Sequence, residues 1–192
     1  MTTPEDILGY WLDELTPADW YRGGEELDAA IRIRFEAGWH EAMEGRYGLW
    51  LTYPSGTLAY ILLMDQFPRN MFRDTGDAFA SDDYALAAAK MAIDKNWDCR
   101  IDEPARQFFY MPLMHSECLP DQDRAVRLFA TRMPEHGARN LPHAKAHREI
   151  IRRYGRFPTR NAALGRRMTG PEREYLDLGG YGSVLRQVDE HA

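Results

Sequence analysis

The sequence predicts an all-α fold of roughly eight helices, on three observations. Helix starts recur as a capping residue followed by a proline and an acid. Apolar residues repeat every three or four positions, and no segment alternates with the two-residue period of a half-buried strand. In Thr3-Pro4-Glu5 a cap, a first-turn proline and an early acid open the run Ile7 to Leu15. Thr16-Pro17-Ala18-Asp19 repeats the device over a shorter piece. From Glu25 to Glu44, Leu27, Ile31, Phe35, Trp39 and Met43 recur every four positions, one face of a long amphipathic helix ended near Gly45.

Ser55-Gly56-Thr57 leads into Leu58–Phe67, apolar on all sides, which predicts a buried helix. Ser81-Asp82-Asp83 caps a helix from Tyr84 to Lys95, and 96–102 is a loop. Pro104 starts the aromatic stretch Gln107 to Met111, which Pro112 should kink or end. Pro120 opens a helix through Met133, Leu141 to Tyr154 forms another stopped by Gly155, and Thr169-Gly170-Pro171-Glu172 opens a last one through Leu178. Short connections between them imply antiparallel hairpins packed side by side in one domain, residues 1–178. Residues 179–192 form a polar tail, to which Val184, Leu185 and Val188 could add a helical turn or two.

The 192 residues, 44% hydrophobic and 28% charged, suit a globular protein with a core that needs neither disulfides nor metals. Cys99 and Cys118 are the only cysteines, with no zinc-like spacing, so a reducing cytoplasm is the expected compartment. The acidic start lacks the pattern of a signal peptide. The greasiest run, Leu58 to Met64, falls far short of the roughly 20 residues of a bilayer span, so no membrane partner is expected. The net charge of −6 hides a block from Arg139 to Arg167 with nine Lys or Arg and one acid. Because these are interleaved with apolar residues, the block is expected to dock on the acidic remainder rather than to bind nucleic acid.

The chemistry concentrates at two echoing stretches, Asp65-Gln66-Phe67-Pro68-Arg69-Asn70 and Gly155-Arg156-Phe157-Pro158-Thr159-Arg160-Asn161. In each, proline should end a helix, Phe should plug the core, and an Arg-Asn pair is left to hydrogen-bond across a junction or to a ligand. Asp65, at the end of a buried helix, needs a cation, and Arg156 or Arg160 would supply one if the junctions meet. His143 and His147 share a helix face as a metal pair would, but a third ligand is missing; neither metal nor cofactor is expected. His115 and Glu117 could form an acid–base pair, or Ser116 and Glu117 could cap backbone amides. Cys118 reads as a small buried residue, and the five tryptophans as core or rim. No G-x-S-x-G elbow, P-loop or G-x-G-x-x-G is present, and Gly179-Gly180-Tyr181-Gly182 follows no strand.

The runs D-Q-F-P-R-N at 65–70, F-Y-x-P-L-x-H-S-E at 109–117 and H-R-x-I-I-x-R-Y-G-R-F-P-x-R-N-x-x-L-G-R at 147–166 resemble a bacterial family catalogued as domain of unknown function 924. The opening I-L-x-Y-W at 7–11 and Thr169–Leu178 fit it too. The resemblance implies an all-α, tetratricopeptide-like array and brings no activity. The motif positions are Asp65, Gln66, Arg69, Asn70, His115, Glu117, His147, Arg156, Arg160, Asn161 and Arg166. The family pattern has His where this chain has Thr159. Three readings follow. The first is a pocket in which Arg69, Asn70, Arg156, Arg160, Asn161, Arg166 and Gln66 bind an anionic small molecule or peptide. The second is an enzyme using His147 or His115 as base beside Glu117 or Asp65. The third is a buried network that only fixes helix packing.

Overall fold

The Thr3 hydroxyl accepts from the Asp6 amide while the Asp6 carboxylate accepts from the Thr3 amide, and this reciprocal cap starts α1 (Pro4–Leu8). A computed structural model describes residues 1–189, and every regular element among them is helical. The expected all-α class is therefore the observed one. No helix among the described residues is long and apolar enough to cross a membrane.

Where one domain was expected over 1–178, the chain divides into two compact units, Met1–Pro112 and Leu113–Ala192. Charge divides with them. The first unit has ten Lys and Arg against twenty Asp and Glu, net −10, and the second has fourteen against ten, net +4.

In the first unit α1 continues as a π-helical turn, Gly9–Glu14, followed by α2 (Asp19–Arg22) and the long α3 (Glu25–Met43). The four-residue period of α3 buries Ile31, Phe35 and Trp39. A helix then runs from Pro54 to Met71 as α4 (Pro54–Ile61), a π-helical segment Leu62–Gln66, and α5 (Phe67–Met71). Pro68 was expected to end it, but the π-helical widening carries the helix past the proline. Phe67 does plug the core: it is fully buried, 4.8 Å from the Phe35 ring and 5.3 Å from that of Trp11. α6 (Asp82–Asp94) packs its alanine face on α4. Pro112 does not end an aromatic helix. Ala105–Phe109 is a 3-10 turn, and Pro112 sits at the start of α7 (Met111–His115), where its missing N–H costs nothing.

The second unit is a hairpin of α8 (Leu119–Arg132) and α9 (Gly137–Tyr154), followed by α10 (Gly170–Asp177) and α11 (Gly180–Asp189). α9 begins earlier than expected and contains Pro142. The supposed polar tail is α11, docked on α9 and α10, with Val184 buried; positions 190–192 lie outside the described residues. Its core gathers Ala146, Ile150, Ile151, Phe157, Tyr175 and Val184.

Candidate functional site

The first Phe-Pro junction is a network of charged and amide side chains inside the first unit. Asp65, fully buried on the π-helical segment, accepts from Gln66 and pairs with Arg69 at 3.2 Å. The Arg69 guanidinium also reaches Asp82 at 2.9 Å on α6. Burial opposes the charge of Arg69, but the two carboxylates outweigh it and raise its pKa. Asn70 and Arg73 both donate to Asp28 on α3, Arg73 through a fork at 2.7 and 2.8 Å. Here Arg69 ties α5 to α6 and Asn70 ties it to α3, while Gln66 serves the neighbouring Asp65.

The second junction uses the same device with different partners. Arg156 forks onto Glu172, at 2.5 and 2.9 Å, and donates to the Arg167 carbonyl at 2.8 Å. The ion partner of Arg156 is thus Glu172 and not Asp65. Glu172 is also the third residue of α10, where it closes a capping box with Thr169. The Arg156 fork, then the Thr169 amide, hold its carboxyl far below the ordinary range. Arg166 forks onto Glu117 at 2.7 and 3.0 Å, and Glu117 also accepts from the Phe157 amide at 2.8 Å. Burial works against ionised Glu117, but the Arg166 fork and that amide prevail and lower its pKa. Glu117 is therefore committed to the junction, and the expected His115–Glu117 pair is not what it makes.

Part of the basic block is paired locally. Besides these pairs, Arg152 and Arg153 both bind Glu149, and Arg148 lies 3.5 Å from Asp123.

What the junction leaves open is an imidazole. His147 Nδ1 donates to the His143 carbonyl at 2.8 Å, one helical turn back, so in the neutral ring Nε2 carries the lone pair. No described residue hydrogen-bonds to Nε2. The His147 ring lies between Phe157 at 5.4 Å and Tyr181 at 5.1 Å, both edge-on, with the His115 ring 6.4 Å away. Burial first, then the charges of His115 and Arg160, push its pKa down to about 3. Arg160 stacks on Phe157, 4.6 Å from guanidinium carbon to ring centre, and donates to the His115 carbonyl at 2.9 Å. His143 does not join His147 on a metal: its Nδ1 meets the Tyr181 hydroxyl at 2.5 Å. Among the described residues no cluster of three metal-ligating side chains forms.

Two buried side-chain oxygens of the second unit lack a partner. Gln122 donates to the Met114 and Ser116 carbonyls at 2.7 Å each, yet its Oε1 is unpaired. Asn161 Oδ1 is also unpaired while its amide nitrogen reaches the Met168 sulfur at 3.3 Å. Cys118, expected to be buried, is exposed.

Of the sequence-derived residues, the second unit brings together His115, His147, Arg160 and, around them, Glu117, Arg156, Asn161 and Arg166. Asp65, Gln66, Arg69 and Asn70 belong to the first unit's own network. Tyr181, Glu172 and Gln122 were missed. The period Tyr181, Val184, Leu185, Val188 signals one apolar helix face, and Glu172 stands at the third position of a capping box.

Fold and site together define an all-helical protein whose Phe-Pro junctions are pinned by partly buried arginine–carboxylate pairs. The chain belongs to the family of bacterial proteins of unknown function DUF924, whose model matches residues 7–180. It is similar to a solved protein of unknown function from Agrobacterium tumefaciens, at 36% identity and a TM-score of 0.84. That likeness covers 90% of this chain and 96% of the other. No curated protein matches the chain.

Proposed function

We propose that the second unit binds a small anionic molecule, with Arg160 facing its negative charge and His147 Nε2 accepting a hydrogen bond from it. The observation that carries this is the His147 imidazole, fixed by its Nδ1–H bond to the His143 carbonyl with Nε2 offered to no protein donor. A ligand hydroxyl or amide that donates to Nε2 would add a hydrogen bond worth about 0.5–1.5 kcal/mol. Arg160, whose guanidinium carbon lies over the Phe157 ring, carries the planar fork of donors that suits carboxylate or phosphate.

Catalysis by His147 is the second reading, favoured by the same lone pair. A base with a pKa of about 3 removes protons poorly at neutral pH, because efficiency peaks when base and working pH match. Binding therefore ranks first.

The test is a thermal-shift screen of small carboxylates and phosphates on wild type, His147→Gln and Arg160→Gln. The reading requires a hit that raises the wild-type melting temperature and is lost in both variants while their unliganded melting temperatures hold. A hit retained in both variants would remove this site from consideration.

A further inference from the structure

Gly9 is a glycine where the backbone asks for none. It begins the π-helical turn after α1 with ordinary helical dihedrals, φ −58° and ψ −46°, and a Cβ built there meets nothing within 4 Å. A glycine in such a backbone weakens the helix relative to alanine, and here no tight turn or close approach compensates for it. What the absent side chain leaves is space. Gly9 lines a cleft of about 600 Å³ formed by α1, its π-helical turn and α3, all within the first unit.

Tyr10 and Phe35 also line this cleft, their ring centres 5.4 Å apart. Tyr10 is only 5% exposed, yet its hydroxyl hydrogen-bonds to no described residue and is not sealed from solvent. Burial raises its pKa, Arg34 opposes that and Glu14 reinforces it, so at neutral pH the phenol keeps its proton. The cleft thus holds a nearly buried hydroxyl, both donor and acceptor, that the protein itself does not use.

The side-chain charges at the cleft are mostly negative. Arg34 lies over the Tyr10 ring at 4.5 Å and pairs with Glu14 at 2.9 Å. Asp6 is engaged in the Thr3 cap. The Glu5 carboxylate, by contrast, makes no ion pair or hydrogen bond among the described residues. An anion would meet three carboxylates and one guanidinium that is already paired. A cation finds a free carboxylate, in a unit whose net charge of −10 draws it in.

We propose that this cleft binds a small organic ammonium, a primary amine on a short carbon body, with its charge on Glu5 and an N–H donating to the Tyr10 hydroxyl oxygen. Gly9 gives the carbon body its room. The site is independent of the anion reading of the second unit, and neither stands or falls with the other.

The probe is butylamine, titrated into the full chain while its resonances are followed by NMR, with butyrate as the charge-reversed control. Butylamine should give saturable shifts at Gly9, Tyr10 and Phe35 that butyrate does not. Gly9→Leu keeps every charge and gains helix propensity, so it should lose those shifts while its melting temperature holds or rises. Tyr10→Phe and Glu5→Gln should each weaken binding at least about threefold with the melting temperature unchanged, because neither group has a partner in the folded chain to lose. The amine site is overturned if wild type shows no saturable shift at these residues, if butyrate shifts them equally, or if Gly9→Leu binds as wild type does. Should Gly9→Leu fail to fold, Tyr10→Phe and Glu5→Gln decide, and wild-type binding in both overturns the site.

Discussion

Ser81 Oγ donates to the Met64 carbonyl at 2.6 Å, the acceptor that an α-helical N–H at position 68 would meet and that Pro68, without an N–H, does not. The same oxygen accepts from Trp39 Nε1 at 2.9 Å, and Ser81 is fully buried. One hydroxyl thus serves two buried groups beside the π-helical segment that carries the helix past its proline.

Replacing Ser81 by Ala should strand the Met64 carbonyl and the Trp39 indole together. At roughly 1–3 kcal/mol for each buried unmade bond, the loss should be about 2–4 kcal/mol. All five tryptophans lie in the first unit, so urea unfolding followed by tryptophan fluorescence reports on it. Pro68→Ala restores a donor in the right turn and should cost less in the Ser81→Ala background than in wild type. Additive effects would mean that serine and proline are not coupled.

Arg69→Ala should be among the most damaging single changes in the first unit. It removes the cation between Asp65 and Asp82 and leaves a fully buried carboxylate uncompensated, a loss of about 3–5 kcal/mol. Tryptophan-monitored unfolding measures it. A loss under about 1 kcal/mol would return Arg69 to the list of ligand-binding candidates.

The caps at Thr3 and Thr169 and the face Ile31, Phe35, Trp39 were legible in the sequence because each depends on residues within a few positions of one another. The bond that Ser81 makes to the Met64 carbonyl was not legible, since it comes from a residue thirteen positions beyond Pro68 that no local rule assigns. The Arg156 partner was missed for a related reason. Glu172 reads as a complete cap, and nothing local shows that the same carboxylate also takes an arginine fork. His147 was singled out from its place on the helix face before the second junction. What a sequence cannot supply is the direction of a lone pair, and it is the bond from Nδ1 to the His143 carbonyl that leaves Nε2 available.

Gly137→Ala should prise apart the α8–α9 hairpin. A Cβ built there falls 2.3 Å from the Phe129 carbonyl oxygen, and that oxygen belongs to backbone that cannot swing aside. Overpacking of this kind costs about 1–3 kcal/mol. The loss should appear as lowered hydrogen-exchange protection in both helices. Unchanged protection would show that the start of α9 shifts freely.

Acid should destabilise the second unit well before its carboxylates titrate. His147 has a folded pKa of about 3 against roughly 6.5 for a free imidazole, so below that free value the unfolded chain binds a proton that the folded chain refuses. His143 adds to this in the same direction. Burial lowers its pKa and Arg139 reinforces that, while Asp189 opposes it. Both contributions to stability are complete above about pH 6.5 and are lost as pH falls below it, each with a slope of at most about 1.4 kcal/mol per pH unit. Glu117 and Glu172, whose pKa values are lowered, lose their contribution only below the ordinary carboxylate range. The window between about pH 4.5 and 6.5 therefore isolates the imidazoles. Hydrogen-exchange stabilities of α9 across that window should fall with acid in wild type and fall less steeply in His147→Gln, whose amide does not titrate. Equal slopes in the two proteins would mean that the folded chain protonates His147 as readily as the unfolded one, and the neutral, fixed tautomer would be lost with it.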